Sequence, residues 1–204
     1  MNFSKKPGIS IVEIVIGLAL VGIVVLLISQ IFSAQLRFFL TQVTGIGIAS
    51  ENRIAINELT NQTRQAESIV NTCPNNGCSP GDTTSASTVI YRVWALDANG
   101  EPTNSAYDYI VVEQDPPTTS TNLVRRVFPD PTRTRTASVD NIITTLAPSG
   151  LNITYNNANP TLASQVTFTI STTSSEGGRV QTSTHSSKAK LRNKPTPAQT
   201  SQPN

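Results

Sequence analysis

The sequence predicts an α+β protein: a long N-terminal helix, membrane-spanning in its first half, packed on a small antiparallel β-sheet domain. Three observations predict it. An apolar run fills Ile9 to Ile28, a helical-period apolar stripe follows it, and from about Ser87 the period changes to the two-residue alternation of strands.

The run from Ile9 to Ile28 has twenty residues, nearly all Ile, Val, Leu, Ala or Gly. As a helix it would be about 30 Å long, the thickness of a bilayer's hydrocarbon core. Lys5 and Lys6 stand just before it, which keeps the N-terminus cytoplasmic and sends the rest across. The run exceeds the apolar region of a secretory signal, and "SQIFSAQLRFF" after it offers no small-x-small cleavage site. No cysteine lies near, which excludes a lipoprotein. One acid, Glu13, interrupts the run. A carboxylate near the bilayer centre costs about 2.5–3.5 kcal/mol, and less near the interface, and such residues usually have a partner. In the first turn of a helix Glu13 is also favoured by the helix dipole, even in an isolated chain.

The short basic leader ending in Gly8, followed by "ISIVEIVIGLALVGI", resembles the class III signal of type IV pilins and type II secretion pseudopilins. The resemblance covers about 25 residues, and it joins a cleavage glycine, the glutamate spacing and the apolar run. It implies that a prepilin peptidase cuts after Gly8 and methylates the new N-terminus, Ile9. It also implies that Glu13, fifth in the mature chain, is the assembly residue. In a water-free bundle of helices its carboxylate would meet the amine of Ile9 on a neighbouring subunit, and the pair would select register. Gly22 matches a glycine common in these helices. Ile9 stands where phenylalanine is usual, and Gln30 where many major pilins have proline.

Beyond Ile28, Phe32, Leu36, Phe39, Val43 and Ile46 step by four and three, and Ile56, Leu59, Ala66 and Val70 keep the rhythm. The helix is therefore expected to continue to about Val70 with this stripe packed on the following domain. Gly45 and Gly47 in "TGIGIAS" predict a soft point or bend. The two glycines superficially resemble a dinucleotide-binding turn, but a helical stripe precedes them where that motif needs a strand. Cys73 and Cys78 in "CPNNGC" are expected to form a disulfide pinning a tight turn, since an exported domain meets oxidising conditions.

Strands are predicted at Thr88–Leu96 and Tyr107–Glu113, with Asp97, Asn99 and Gly100 supplying the turn. "DANGE" lacks the repeated acids of a calcium cage. "NLVRRVF" reads as a short strand ended by Pro129 and Pro131, and "SVDNIITTLAP" as a short helix capped by Ser138. "LNITY" and "SQVTFTIS" alternate as a hairpin, and "GGRVQTSTHSSKAKLRN" as a last strand. The tail, "KPTPAQTSQPN", has the composition of a disordered segment. The expected divisions are a leader at 1–8, a transmembrane helix at 9–28, its amphipathic continuation at 29–70, an exported β-rich domain at 71–193 and the tail at 194–204. This layout is similar to the larger minor pilins and the J-type minor pseudopilin.

No enzyme constellation and no cofactor or metal site is read from the sequence. His185, the only histidine, lies in a Ser/Thr-rich stretch and reads as a surface strand residue. Loss of the leader leaves 13 basic against 13 acidic residues, which argues against a chain-wide nucleic-acid footprint. Lys188, Lys190, Arg192 and Lys194 recur at every second residue and would share one face of a strand. They read as a charged edge that discourages strand pairing. The alternative is contact with phosphate, DNA or an acidic partner subunit. Arg125, Arg126, Arg133 and Arg135 form a second basic group with the same two readings.

The resemblance implies a minor pilin-like structural subunit that is cleaved, N-methylated and assembled into a type IV pilus-like filament. The alternatives are a minor pseudopilin of a type II secretion system and a DNA- or surface-binding tip protein. The implied partners are the prepilin peptidase, other pilin or pseudopilin subunits and the membrane. The implied location is the inner membrane, single-pass with the N-terminus cytoplasmic, and then the pilus or pseudopilus.

Overall fold

Among the described residues, one helix, α1 (Ile11–Gln65), and eight strands make up the regular structure, apart from one short 3-10 turn at Pro160–Leu162. The computed structural model describes residues 10–74, 78, 83–115, 120–132, 135–176 and 179–192. The chain divides into two compact units at Val43 and Thr44, and α1 runs through the division. In the first unit every large apolar side chain from Ile11 to Phe39 is exposed. One stretch of α1 is long and apolar enough to cross a membrane, and it buries nothing in the protein, which distinguishes it from a core helix.

In the second unit the helix turns amphipathic. Ile48, Asn52, Ala55, Ile56, Leu59, Gln62 and Thr63 are buried, at the three- and four-residue steps of one helix face. This differs in part from the expected stripe: Ile56 and Leu59 do enter the core, but Phe32, Leu36, Phe39, Val43 and Ile46 stay exposed. The helix is unbroken through Gly45 and Gly47. Gly45 instead has a packing role, because a Cβ there would lie 3.2 Å from the Gln181 side chain.

The helix ends at Gln65 rather than near Val70, because sheet pairing captures the chain. Glu67 and Val70 amides donate to the Arg92 and Ile90 carbonyls, and β1 (Ser68–Ile69) forms between them. The first sheet is antiparallel in the order β1, β2 (Thr88–Leu96), β3 (Pro102–Gln114), β4 (Leu123–Phe128) and β5 (Ser138–Ile143). At the β2–β3 turn Gly100 has φ 81°, a left-handed conformation suited to glycine, and Asp97 Oδ1 accepts the Asn99 and Glu101 amides. The strand β5 replaces the helix expected in "SVDNIITTLAP". The spacing of Val139, Ile142, Ile143 and Leu146 is helix-like, but antiparallel pairing with β4 fixes the segment extended and leaves Val139 69% exposed.

The second sheet is antiparallel in the order β6 (Leu146–Tyr155), β7 (Gln165–Glu176) and β8 (Arg179–Lys190), which realises the predicted hairpin and last strand. Apolar residues of both sheets, including Tyr91, Ile110, Leu151, Phe168 and Ile170, form one core with Ala55, Ile56 and Leu59 of the helix. Polar groups lock the helix to the sheets. The Thr63 hydroxyl donates to the Leu59 carbonyl, so the buried Tyr91 phenol, 2.8 Å away, donates to Thr63. Burial pushes that phenol well above the ordinary tyrosine range. Asn52 Nδ2 donates to the Ser183 carbonyl at 2.9 Å.

Candidate functional site

Ser10 starts the helix. Its carbonyl accepts the amides of Glu13 (3.0 Å) and Ile14 (3.2 Å), and its Oγ accepts the Val12 amide at 3.3 Å. Ser10 is thus the N-cap, and Glu13 is the third helical residue, the S-x-x-E spacing of a capping box. The sequence reading missed this cap although "SIVE" displays it. Only the serine half of the box is formed. The Glu13 carboxylate is exposed and makes no hydrogen bond or ion pair among the described residues. Among the described residues, then, this acid on an apolar helix has no internal partner. Gly8 and Ile9, the expected cleavage and methylation positions, lie outside the described residues.

Cys73 and Cys78 are joined by a disulfide, with Cα atoms 5.7 Å apart. The chain on either side is held together as well. Thr72 bridges Thr83, the Thr84 amide donates to the Asn71 carbonyl, and Thr84 Oγ1 donates to the Val70 carbonyl. The turn residues 75–77 lie outside the described residues. Closing so short a loop stabilises by about 2 kcal/mol. Cys73→Ser should therefore lower thermal stability by about that amount, and non-reducing peptide mapping of the unaltered protein should recover the two cysteines in one linked fragment. Two free thiols in protein purified from an oxidising compartment would contradict this.

The two basic groups have different fates. Arg125 is held between Glu58 of α1 and Asp140 of β5, each at 2.6 Å. Its hydrogen bond, with a second from Ser138, holds the Asp140 carboxyl below the usual range. Arg126 pairs with Glu113 and Asp115. Arg135 lies 2.8 Å from the buried Asp108, whose carboxyl is raised by burial while the Asp130 amide and Arg135 pull it down. These three arginines are already neutralised within the fold and are not open anion contacts, which corrects the alternative reading of that group. Arg133 lies outside the described residues.

Lys188 and Lys190 lie on β8, which is an edge strand, as a charged edge requires. Ala189 and Leu191 between the cations are buried, so Lys188, Lys190 and Arg192 share the exposed face. Lys194 and the tail lie outside the described residues. His185 is exposed on β8 opposite Ile170. Among the described residues no three His, Cys, Asp or Glu side chains converge as metal ligands.

Comparison with protein-family models, with curated proteins and with solved structures finds no match for this chain.

Proposed function

We propose that the chain is a prepilin-like structural subunit, cut after Gly8, methylated on Ile9 and assembled through its apolar helix into a type IV pilus-like filament, as a minor component. The observation that carries this reading is Glu13: a carboxylate unpaired among the described residues, five positions after Gly8, on an exposed apolar helix that continues without a break into a β-rich unit. A monomeric anchor gains from this acid only the modest interaction with the helix dipole, set against the cost of inserting a charge. A helix bundle has a further use for it, because an amine of a neighbouring subunit can neutralise it. The exposed apolar residues from Phe32 to Ile46 support the reading too, since they extend past the twenty-residue run that a bilayer would cover. The N-terminus is cytoplasmic, and the sheets lie outside the cytoplasm.

The test is the mature N-terminus. In cells with an active prepilin peptidase, mass spectrometry should find a chain beginning at N-methylated Ile9, and Gly8→Val should retain the leader. A mature protein that still begins at Met1 would reject the proposal.

A further inference from the structure

Arg64, in the last turn of α1, lines one open cleft of about 540 Å³ together with Lys188, Lys190 and Arg192, completed by Gln165 and Leu191. Sequence spacing links the last three cations, but Arg64 joins them only through the fold. The register sets the floor of the cleft: Lys190 lies opposite Gln165, and the Leu191 amide donates to the Ser164 carbonyl at 3.0 Å.

The cleft gathers cations that no carboxylate neutralises among the described residues, a state otherwise found singly, as at the exposed Arg53. Arg92, Arg125, Arg126 and Arg135 each hold a carboxylate. Among the described residues none of the four cleft cations has an ion-pair partner, and no carboxylate lines the cleft. Four like charges around one recess repel each other in the free protein, and a bound anion relieves that repulsion. A charged edge accounts for Lys188 and Lys190 alone. It does not account for Arg64, which comes from another element.

We propose that this cleft binds the sugar-phosphate backbone of a single-stranded nucleic acid, without reading its bases. The cations on the β8 face recur at alternate residues, about 7 Å apart in a strand. That step is comparable with the one between successive phosphates of an extended strand, so the row can follow a chain of phosphates. No aromatic side chain lines the cleft, so base stacking, the usual source of tight single-strand binding, is missing and the contact is electrostatic. A flat lipid surface fits less well, because the charges surround a recess and carry no protruding apolar group to enter a bilayer. The inference does not depend on filament assembly, and each can fail alone.

The experiment uses the full chain in nanodiscs of neutral lipid, with fluorescent single-stranded oligonucleotides of two unrelated sequences as probes. Both should bind with affinities within about twofold. Four phosphate contacts on a single strand predict a loss of about fifty-fold in affinity between roughly 50 and roughly 200 mM salt. Arg64→Gln should lower the slope of log affinity against log salt by about 0.7, and the Lys188→Gln, Lys190→Gln, Arg192→Gln triple variant by about three times that. Arg53→Gln, an exposed cation outside the cleft, should leave it unchanged. All of these side chains are exposed, so thermal midpoints should stay near that of the unaltered protein, which separates lost binding from lost folding. Any of four results would overturn the proposal: no oligonucleotide binding at low salt, equal binding by the variant lacking all four cations, competition by inorganic phosphate as effective per phosphate as the oligonucleotide, or binding to phosphatidylglycerol vesicles with none to oligonucleotides.

Discussion

Gly150→Ala should destabilise the second unit by about 3 kcal/mol, the upper end of the range for forcing extra atoms into a packed site. Between Leu146 and Leu151 the register of β6 on β7 shifts, so Ala147, Pro148, Ser149 and Gly150 form an irregular bulge. Proline cannot donate to a ladder, which is the local reason for the break. Ser149 then takes φ 52°, left-handed and unusual for a residue with a Cβ. At Gly150 the chain passes so close to itself and to β7 that an added Cβ would strike the Ser171 carbonyl oxygen. It would also lie 2.6 Å from the Ala147 carbonyl oxygen and 2.8 Å from its nitrogen. All three obstacles are backbone, so no rotamer change relieves them. A thermal midpoint lower by about 6–12 °C is expected for a unit of this size. Gly47→Ala is the matched control. That glycine is exposed in mid-helix, and an added methyl would meet nothing within 4 Å, so the substitution should stabilise by about 1 kcal/mol. Similar midpoints for the two variants would show that the close approach at Gly150 is not rigid.

The bulge also shows where sequence reasoning reached its limit. Local alternation located Thr88–Leu96 at both ends, because nine residues rich in branched and aromatic side chains form one central strand. It located the β6–β7 hairpin for the same reason. It missed β5, because the apolar spacing of Val139, Ile142, Ile143 and Leu146 mimics a helix. Only the hydrogen-bonding edge of β4, distant in what a local window sees, decides the matter. It also extended the helix beyond Gln65. Ala66 does remain buried, but as a connection into the sheet.

The candidate sites divide in the same way. The cysteine pair was legible because it depends on a short loop between close neighbours in sequence. The basic groups were not. Nothing in "LVRRVF" says that Arg125 will reach Glu58, across 67 positions, or that Arg126 will meet Glu113 and Asp115. Likewise Arg64 looks like an ordinary cation in the last turn of a helix, where the dipole favours it. Its place beside Lys188 and Arg192 follows from packing of the helix end against the second sheet.

Glu13→Gln should uncouple membrane insertion from assembly. Glutamine serves at the third position of a capping box as glutamate does, so the Ser10-capped first turn should persist. Removing a charge from the apolar helix should leave insertion intact or improve it. Cleavage after Gly8 should continue, because the leader is unchanged. What the variant loses is the negative charge that the proposed reading pairs with the Ile9 amine of a neighbour. An amine buried in the bundle without its partner costs about 3–5 kcal/mol, which corresponds to a loss of about a hundred-fold or more in incorporation. The processed variant should therefore accumulate in the membrane fraction and be depleted from sheared filaments by that factor. If the glutamate served only the first helical turn, Glu13→Gln and Glu13→Ala would both enter filaments nearly normally, because its carboxylate makes no capping bond among the described residues and both replacements are fair helix formers. If it formed the intersubunit pair, glutamine and alanine would fail alike, because neither carries the charge. Incorporation of these two variants relative to the unaltered chain thus separates a residue of the helix start from an assembly residue, and equal incorporation of Glu13→Gln and the unaltered chain would exclude the pairing.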